Sequence, residues 1–206
     1  MAGAFPISTS KFETLGIKSI QNTIISKSVS GKKLARQIDN QRFAFTVRII
    51  TGTRSDVYGE LMAFIMKQRS GKENFTIIPP EIEDARGNET NTVLVNGVHA
   101  VGDTTIAMDG HHNDNPHAFK SGDFIKFASH SKVYMVVADV QASSNASTVT
   151  IEPPLLTALA DDSEVTYDNV PFTVHLTNDI QEFGVVGTAK DGAFLYQYEF
   201  DVEESL

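Results

Sequence analysis

Hydrophobic and polar residues alternate along two stretches that lie near opposite ends of the chain. In residues 42–50 (RFAFTVRII) every second side chain is large and apolar, and residues 194–202 (FLYQYEFDV) follow the same rule. Side chains on a β-strand point to opposite faces in turn, so this period indicates strands with one buried face. Both ends of the chain are therefore predicted to contribute to a sheet.

One segment between them has a helical period. In residues 54–70 the apolar side chains recur every three or four positions and form one stripe: Val57, Tyr58, Leu61, Met62, Ile65 and Met66. Such a stripe must pack against another element, and the preceding strand is the nearest candidate. Gly71 is the expected stop of this helix.

The middle of the chain shows no helical period. Pro79 and Pro80 end a short apolar run, and a polar, turn-rich segment at 81–92 follows. Short strands with turns between them are then predicted at 93–101, 104–108, 122–129, 133–142, 147–152 and 163–167. This number of short strands is typical of a small closed barrel or sandwich, and its size suits an OB-like barrel.

These patterns predict a mainly β protein with a single α-helix at 54–70. We expect residues 1–86 and 170–206 to form one β-sandwich or barrel domain. Residues 87–169 are expected to form a small OB-like β-barrel inserted into it.

Composition narrows the class of protein. The chain has 206 residues, of which 41% are hydrophobic, and it contains neither Cys nor Trp. Disulfides, thiolate metal sites and cysteine nucleophiles are thereby excluded. Residues 1–12 lack the pattern of a signal peptide, and the chain has no long apolar stretch. We therefore expect synthesis in a cytoplasm and no membrane contact.

Charge is distributed unevenly along the chain. The net charge is −9, but residues 1–72 carry +8 and residues 73–206 carry −17. One interpretation is a dipolar subunit whose basic part meets an acidic part of a neighbour, and the other is two unrelated solvated faces. The basic residues are scattered without an aromatic platform, which disfavours nucleic-acid binding.

The densest cluster of candidate ligands is the segment 109–117 (DGHHNDNPH). His111, His112 and His117 are the candidate metal ligands there. The spacing matches no known metal motif, and Gly, Asn and Pro favour an exposed turn between two strands instead.

No pattern of a catalytic or cofactor site is present in the sequence. Phosphate-binding glycine loops and the serine motif GxSxG are missing, and His130 is interpreted as a turn residue. The adjacent pairs Asp161-Asp162 and Glu203-Glu204 are interpreted as solvated charge. We therefore expect a protein that is not an enzyme and binds no cofactor.

Two short stretches resemble the distal tail proteins of long-tailed bacteriophages. They are Gly122-Asp123-Phe124-Ile125-Lys126-Phe127 and Ser129-His130-Ser131-Lys132-Val133-Tyr134, and the terminal Glu204-Ser205-Leu206 is also similar. The order of elements resembles that family too: a strand set, one helix, an inserted barrel and a return to the first domain. The long histidine-containing loop at 109–119 does not match the family pattern.

The resemblance implies a structural virion protein. Members of this family form a hexameric ring at the distal end of the tail tube, with the inserted barrel pointing outward. The implied partners are other copies of the chain, the tail tube protein, and baseplate hub or tail fibre proteins. The implied location is the virion tail tip, where contact with DNA would be confined to lining the channel.

The charge asymmetry suggests which residues meet a neighbour in such a ring. The basic candidates are Lys32, Lys33 and Arg36, and the acidic candidates are Glu203 and Glu204. A head-to-tail ring needs two complementary surfaces on each subunit, and these residues would supply them.

The alternative function is a carbohydrate-binding module of a host-adhesion apparatus, since small barrels of this kind can bind sugars. Sugar sites rely on exposed aromatic rings. The aromatic residues of the inserted segment are Phe119, Phe124, Phe127, Tyr134 and Tyr167. Most of them lie at alternating positions that are typical of a buried core.

Overall fold

The computed structural model describes residues 3–206 and consists mainly of β-strands. In chain order the strands are β1 (Phe12–Ile20), β2 (Thr23–Lys27), β3 (Lys33–Gln37), β4 (Arg42–Thr53), β5 (Phe75–Ile77), β6 (Val93–Val95), β7 (Thr105–Asp109), β8 (Phe124–Phe127), β9 (Val133–Val136), β10 (Ser147–Glu152), β11 (Glu164–Thr166), β12 (Phe172–Leu176), β13 (Gly184–Thr188) and β14 (Phe194–Glu204). One α-helix, α1 (Gly59–Lys67), lies between β4 and β5.

Strands from both ends of the chain form one open antiparallel sheet in the order β1-β4-β14-β12-β5, and β13 pairs with the first half of β14. The alternation seen in the sequence sets which face is buried. Phe200 lies opposite Val47 and Val202 opposite Phe45, so their side chains share one face. That face is the core of this part of the molecule.

The predicted helix at 54–70 is present, but it ends earlier than expected and its first turn is not α-helical. A π-helical turn occupies Arg54–Tyr58, and the α-helix then runs to Lys67. Leu61 and Ile65 are buried against the sheet, whereas Met66 is exposed. The expected stop at Gly71 is wrong, because Arg69 already turns the chain with a left-handed backbone.

The predicted middle strands are all present, and they close into a six-stranded barrel in the order β10-β7-β6-β11-β8-β9. Several are shorter than predicted. The strand expected at 93–101 ends at Val95, because Gly97 and Gly102 adopt positive φ angles and turn the chain. An OB-fold has five strands, whereas this barrel has six. The expected similarity of the barrel to an OB-fold therefore stays a prediction.

A second core fills the barrel and is separate from the core of the sheet. Its side chains come from alternate positions of the strands, as in Val93 and Val95 of β6 or Val149 and Ile151 of β10. The barrel leaves the sheet after β5 and returns to it at β12, and these two strands pair with each other. The division at 86/87 and 169/170 stays a prediction.

Strands β2 and β3 form a two-stranded hairpin outside both cores. Every residue of both strands is exposed. The hairpin continues from the end of the β1–β4 pair, where Ile20 lies opposite Arg42. An isolated two-stranded hairpin is marginally stable in water, which makes this segment unusual within the fold.

In residues 3–206 none of the helical segments has the length and apolar character needed to cross a bilayer.

Candidate interaction surfaces

A buried ion pair joins the barrel to the sheet. Lys132, which precedes β9, donates to the carboxylate of Glu204 at the end of β14, and both side chains are almost wholly shielded from solvent. Glu204 also accepts hydrogen bonds from the backbone N–H of Val133 at 2.8 Å and of Phe43 at 3.1 Å. One carboxylate therefore binds groups from the barrel and from β4 of the sheet.

Burial and pairing act in opposite directions on the charges in this junction. Burial lowers the pKa of the Lys132 ammonium, while the carboxylate of Glu204 acts in the opposite direction. The Lys132 ammonium also lies 4.4 Å from the centre of the Phe43 ring, a favourable cation–π position. A buried charge is tolerated only when it is paired, so the barrel and sheet cannot separate here without a large cost.

Aromatic packing surrounds the ion pair. The ring of Phe124, on barrel strand β8, lies 5.3 Å from Phe43 and 5.6 Å from Phe172 on the sheet, edge-on in both cases. Phe124 and Val133 accordingly belong to the core of the sheet rather than to that of the barrel. Lys126 adds a hydrogen bond of 3.0 Å to the carbonyl of Pro171. The barrel is thus fixed to the sheet in one orientation.

This junction brings together the stretches that carried the family resemblance. Lys126 and Phe124 come from the first stretch, Lys132 and Val133 from the second, and Glu204 from the terminal one. Their shared role is to dock the barrel. The interpretation of Glu203-Glu204 as solvated charge is wrong for Glu204, because its side chain is buried against Lys132.

The histidine-containing loop is folded into the barrel rather than fully exposed. His111 is buried, with Nδ1 2.9 Å from Glu89 and Nε2 2.7 Å from the hydroxyl of Ser147. Glu89 also accepts from the backbone N–H groups of Thr90, Asn91 and His112. Burial raises the pKa of Glu89, but these hydrogen bonds outweigh it and bring the pKa to about 2.

The Ser147–His111–Glu89 chain has the connectivity of a nucleophile, a base and an orienting acid. His111 is fully buried, however, and most of the hydrogen bonds that Glu89 accepts come from backbone N–H groups. The network ties the loop to the segment before β6 and to the start of β10. We interpret it as a structural lock of the barrel.

The three candidate metal ligands do not converge. His111 is engaged in the lock just described, while His112 and His117 are exposed on the loop. Among the described residues no group of three or more His, Asp or Glu side chains is arranged to hold a metal ion. The segment joins β7 to β8 as expected, but the turn is exposed only in part, since Asn115 and Phe119 are buried along with His111.

The remaining histidines have structural surroundings. His130 is buried, with Nδ1 2.9 Å from the hydroxyl of Tyr134, and burial lowers its pKa. His175 lies 2.8 Å from the hydroxyl of Ser205. His99 accepts a hydrogen bond from the backbone N–H of Ala107.

The aromatic side chains of the barrel segment are all buried. Phe119, Phe124, Phe127, Tyr134 and Tyr167 are each at most 7% exposed. A cleft of about 470 Å³ lies between the base of the β2–β3 hairpin and the barrel, and its lining contains no aromatic residue. The rings required for sugar stacking are therefore not presented here, and nothing in this geometry favours the carbohydrate-binding alternative.

The candidate partner residues occupy two different settings. Lys32, Lys33 and Arg36 are exposed on the β2–β3 hairpin. Glu203 is partly buried and pairs with Arg42 at 3.0 Å within the sheet, and Glu204 is buried in the junction. Contacts of these residues with a neighbouring subunit stay predictions, and the hairpin is the part of the set with free side chains.

Comparison with known protein families gives a match for the barrel segment. Residues 82–170 match the protein-family model described as "Distal tail protein pb9, B domain". The matched residues comprise the barrel with its two connections to the sheet. This finding confirms the resemblance to phage distal tail proteins and supports a structural role in a phage tail. No curated protein matches the chain.

Proposed function

We propose that this chain is a structural protein of the phage tail tip that assembles into a hexameric ring at the distal end of the tail tube. In this role it joins the tube to the baseplate or tail-tip proteins. The observation that carries the proposal is the match of residues 82–170 to a distal tail protein domain. The ring is formed by residues 1–86 and 170–206, and residues 87–169 are its appendage.

The shape of the sheet supports assembly through this part of the chain. The sheet is open, with β1 at one edge and β13 and β5 at the other. The outer side of β5 pairs at Thr76 with Gly3 and Phe5, so the unpaired edges are those of β1 and β13. Unpaired strand edges offer backbone donors and acceptors to another chain. A subunit with two different free edges suits head-to-tail contacts, and such contacts close into a ring when the rotation allows it.

The docking of the barrel supports its role as an appendage. The buried Lys132–Glu204 pair and the Phe124 contacts fix it to the sheet, so it would project from a ring at one constant angle. A fixed angle is useful to a subunit that positions other tail proteins. The function requires no catalytic step and no cofactor, and its setting is the virion tail tip after synthesis in the host cytoplasm.

Native mass spectrometry and negative-stain electron microscopy of the purified chain test this proposal. We expect six-fold rings, with or without an added tube protein. A chain that remains monomeric at all concentrations, both alone and with tail tube and baseplate proteins, would contradict it. Retention of a monomer on polysaccharide columns would favour the carbohydrate-binding alternative instead.

A further inference from the structure

Exposed apolar side chains are concentrated in two places in the part of the chain that the structure describes. Five large ones lie between residues 24 and 38: Ile24, Ile25, Val29, Leu34 and Ile38. Four lie between residues 180 and 194: Ile180, Val185, Val186 and Phe194. Clusters of exposed apolar residues mark interaction sites, whereas scattered single ones need no explanation.

The first cluster lies on the β2–β3 hairpin, which we call the basic hairpin (residues 21–40). It carries Lys27, Lys32, Lys33 and Arg36 against the single acid Asp39, a net charge of +3. Its two strands pair only with each other among residues 3–206, so each has a free backbone edge. A hairpin of this kind gains stability if another surface covers it.

The second cluster lies around β13, and we call it the acidic edge (residues 177–199). It carries Asp179, Glu182, Asp191 and Glu199 against the single base Lys190, a net charge of −3. All four acids are exposed. Strand β13 pairs with β14 on one side, and its other side is unpaired among the described residues.

The two surfaces lie at opposite ends of the sheet within one chain. The basic hairpin continues from the Arg42 end of β4, whereas β13 flanks the part of β14 that pairs with Thr53, at the other end of β4. The 12 residues of β4 span about 40 Å. The hairpin therefore extends away from the acidic edge of its own chain, and a contact between them requires two copies.

We infer that the basic hairpin of one copy docks on the acidic edge of the next copy. The surfaces match in three respects: opposite net charge, exposed apolar side chains and free strand edges. Because they are different surfaces, the contact is head-to-tail and leaves one of each surface free for the following copy. This inference rests on the proposed ring and names the surfaces that build it.

Charge reversal tests the inference on the full-length chain. We compare the double variants Lys33→Glu/Arg36→Glu on the hairpin and Asp179→Lys/Glu182→Lys on the acidic edge. The assembly constant is measured by sedimentation at about 50 mM salt, where surface charges are weakly screened. Each double variant should assemble at least about 10-fold more weakly than the wild type, as like charges then face each other. The variant with all four changes should recover to within about 3-fold.

The matched control is Glu152→Lys/Glu164→Lys, which makes the same change in net charge as the acidic-edge variant, but at exposed acids of the barrel. We expect its assembly to equal that of the wild type. The wild-type assembly constant should also fall as salt is raised. Hydrogen exchange provides a second readout, since backbone amides in 23–37 and 184–188 should slow on assembly.

The outcomes separate this inference from the proposed function. Rings that form equally well in all variants would overturn the hairpin contact and assign the hairpin to another partner, while the ring itself would stand. Failure of the four-fold variant to recover would overturn the pairing of these two surfaces. A wild-type chain that forms no assembly would contradict the proposed ring as well.

Discussion

The barrel and the open sheet differ in how many free strand edges and apolar side chains they expose. The barrel has no free strand edge among its six strands, its aromatic rings are buried, and its buried acids are hydrogen-bonded by backbone groups. The sheet keeps free edges at β1 and β13 and carries an exposed hairpin with apolar side chains. A closed barrel leaves no strand edge for a partner strand, whereas the unpaired edges of the sheet offer backbone donors and acceptors to one.

The contrast predicts that changes within the barrel and its junction lower the stability of the chain. Changes on the hairpin should instead affect assembly and leave the stability of the single chain intact. Four predictions test this difference, in order of decreasing effect on folding.

The largest effect is expected at the junction. Lys132→Ala leaves the buried carboxylate of Glu204 without its counter-charge, so the free energy of unfolding should fall by about 3–5 kcal/mol. Urea denaturation measures this loss, and Lys67→Ala on the exposed side of the helix serves as the control. A loss below about 1 kcal/mol for Lys132→Ala would mean that the pair does not hold the barrel in place.

The hydrogen-bond network of the histidine-containing loop should make the free energy of unfolding depend on pH in the acidic range. The pKa of Glu89 is lowered in the folded state to about 2, so its contribution is complete above about pH 4.5 and is lost as the pH falls toward 2. This contribution is on the order of 3 kcal/mol. Unfolding free energies of the wild type should decline across that window, and Glu89→Gln should decline less. Parallel pH profiles for both proteins would contradict the assignment.

A smaller effect is expected from a glycine of the same loop. Gly110 has a φ angle of 78°, and a Cβ there would lie 2.4 Å from the carbonyl oxygen of Thr92. Gly110→Ala should cost about 2–3 kcal/mol from strain and overlap. Gly97 is a matched control, since its φ is 84° but its Cβ position is open. Gly97→Ala should cost about 1 kcal/mol, and equal losses at both sites would show that the close approach does not matter.

The smallest effect on folding is expected on the basic hairpin. Leu34 is 54% exposed, so Leu34→Ser should change the unfolding free energy of the single chain by less than about 0.5 kcal/mol. The same variant should weaken assembly. A large loss of monomer stability would show that the hairpin belongs to the folded core and would remove the contrast between the two regions.

The sequence by itself determined the local structure. The alternation at 42–50 and 194–202 predicted β4 and β14, and the short apolar runs of the middle segment predicted all six barrel strands. These patterns are local, since a strand or helix with one buried face must repeat its apolar residues at a fixed period. The resemblance to distal tail proteins likewise rested on short local stretches, and the comparison confirmed it.

Only the tertiary structure decided which polar residues are buried. Lys132 and Glu204 are 72 positions apart in the chain, and His111 reaches Glu89 and Ser147 across 22 and 36 positions. In the sequence these residues stand among turn and tail residues, where a solvated side chain is the ordinary expectation. Their burial follows from strand pairing across the molecule, which brings opposite charges and unpaired backbone groups together away from water. The exposure of the β2–β3 hairpin has the same origin. In the sequence its apolar residues look like core residues, but in the structure no other strand or helix of residues 3–206 covers them.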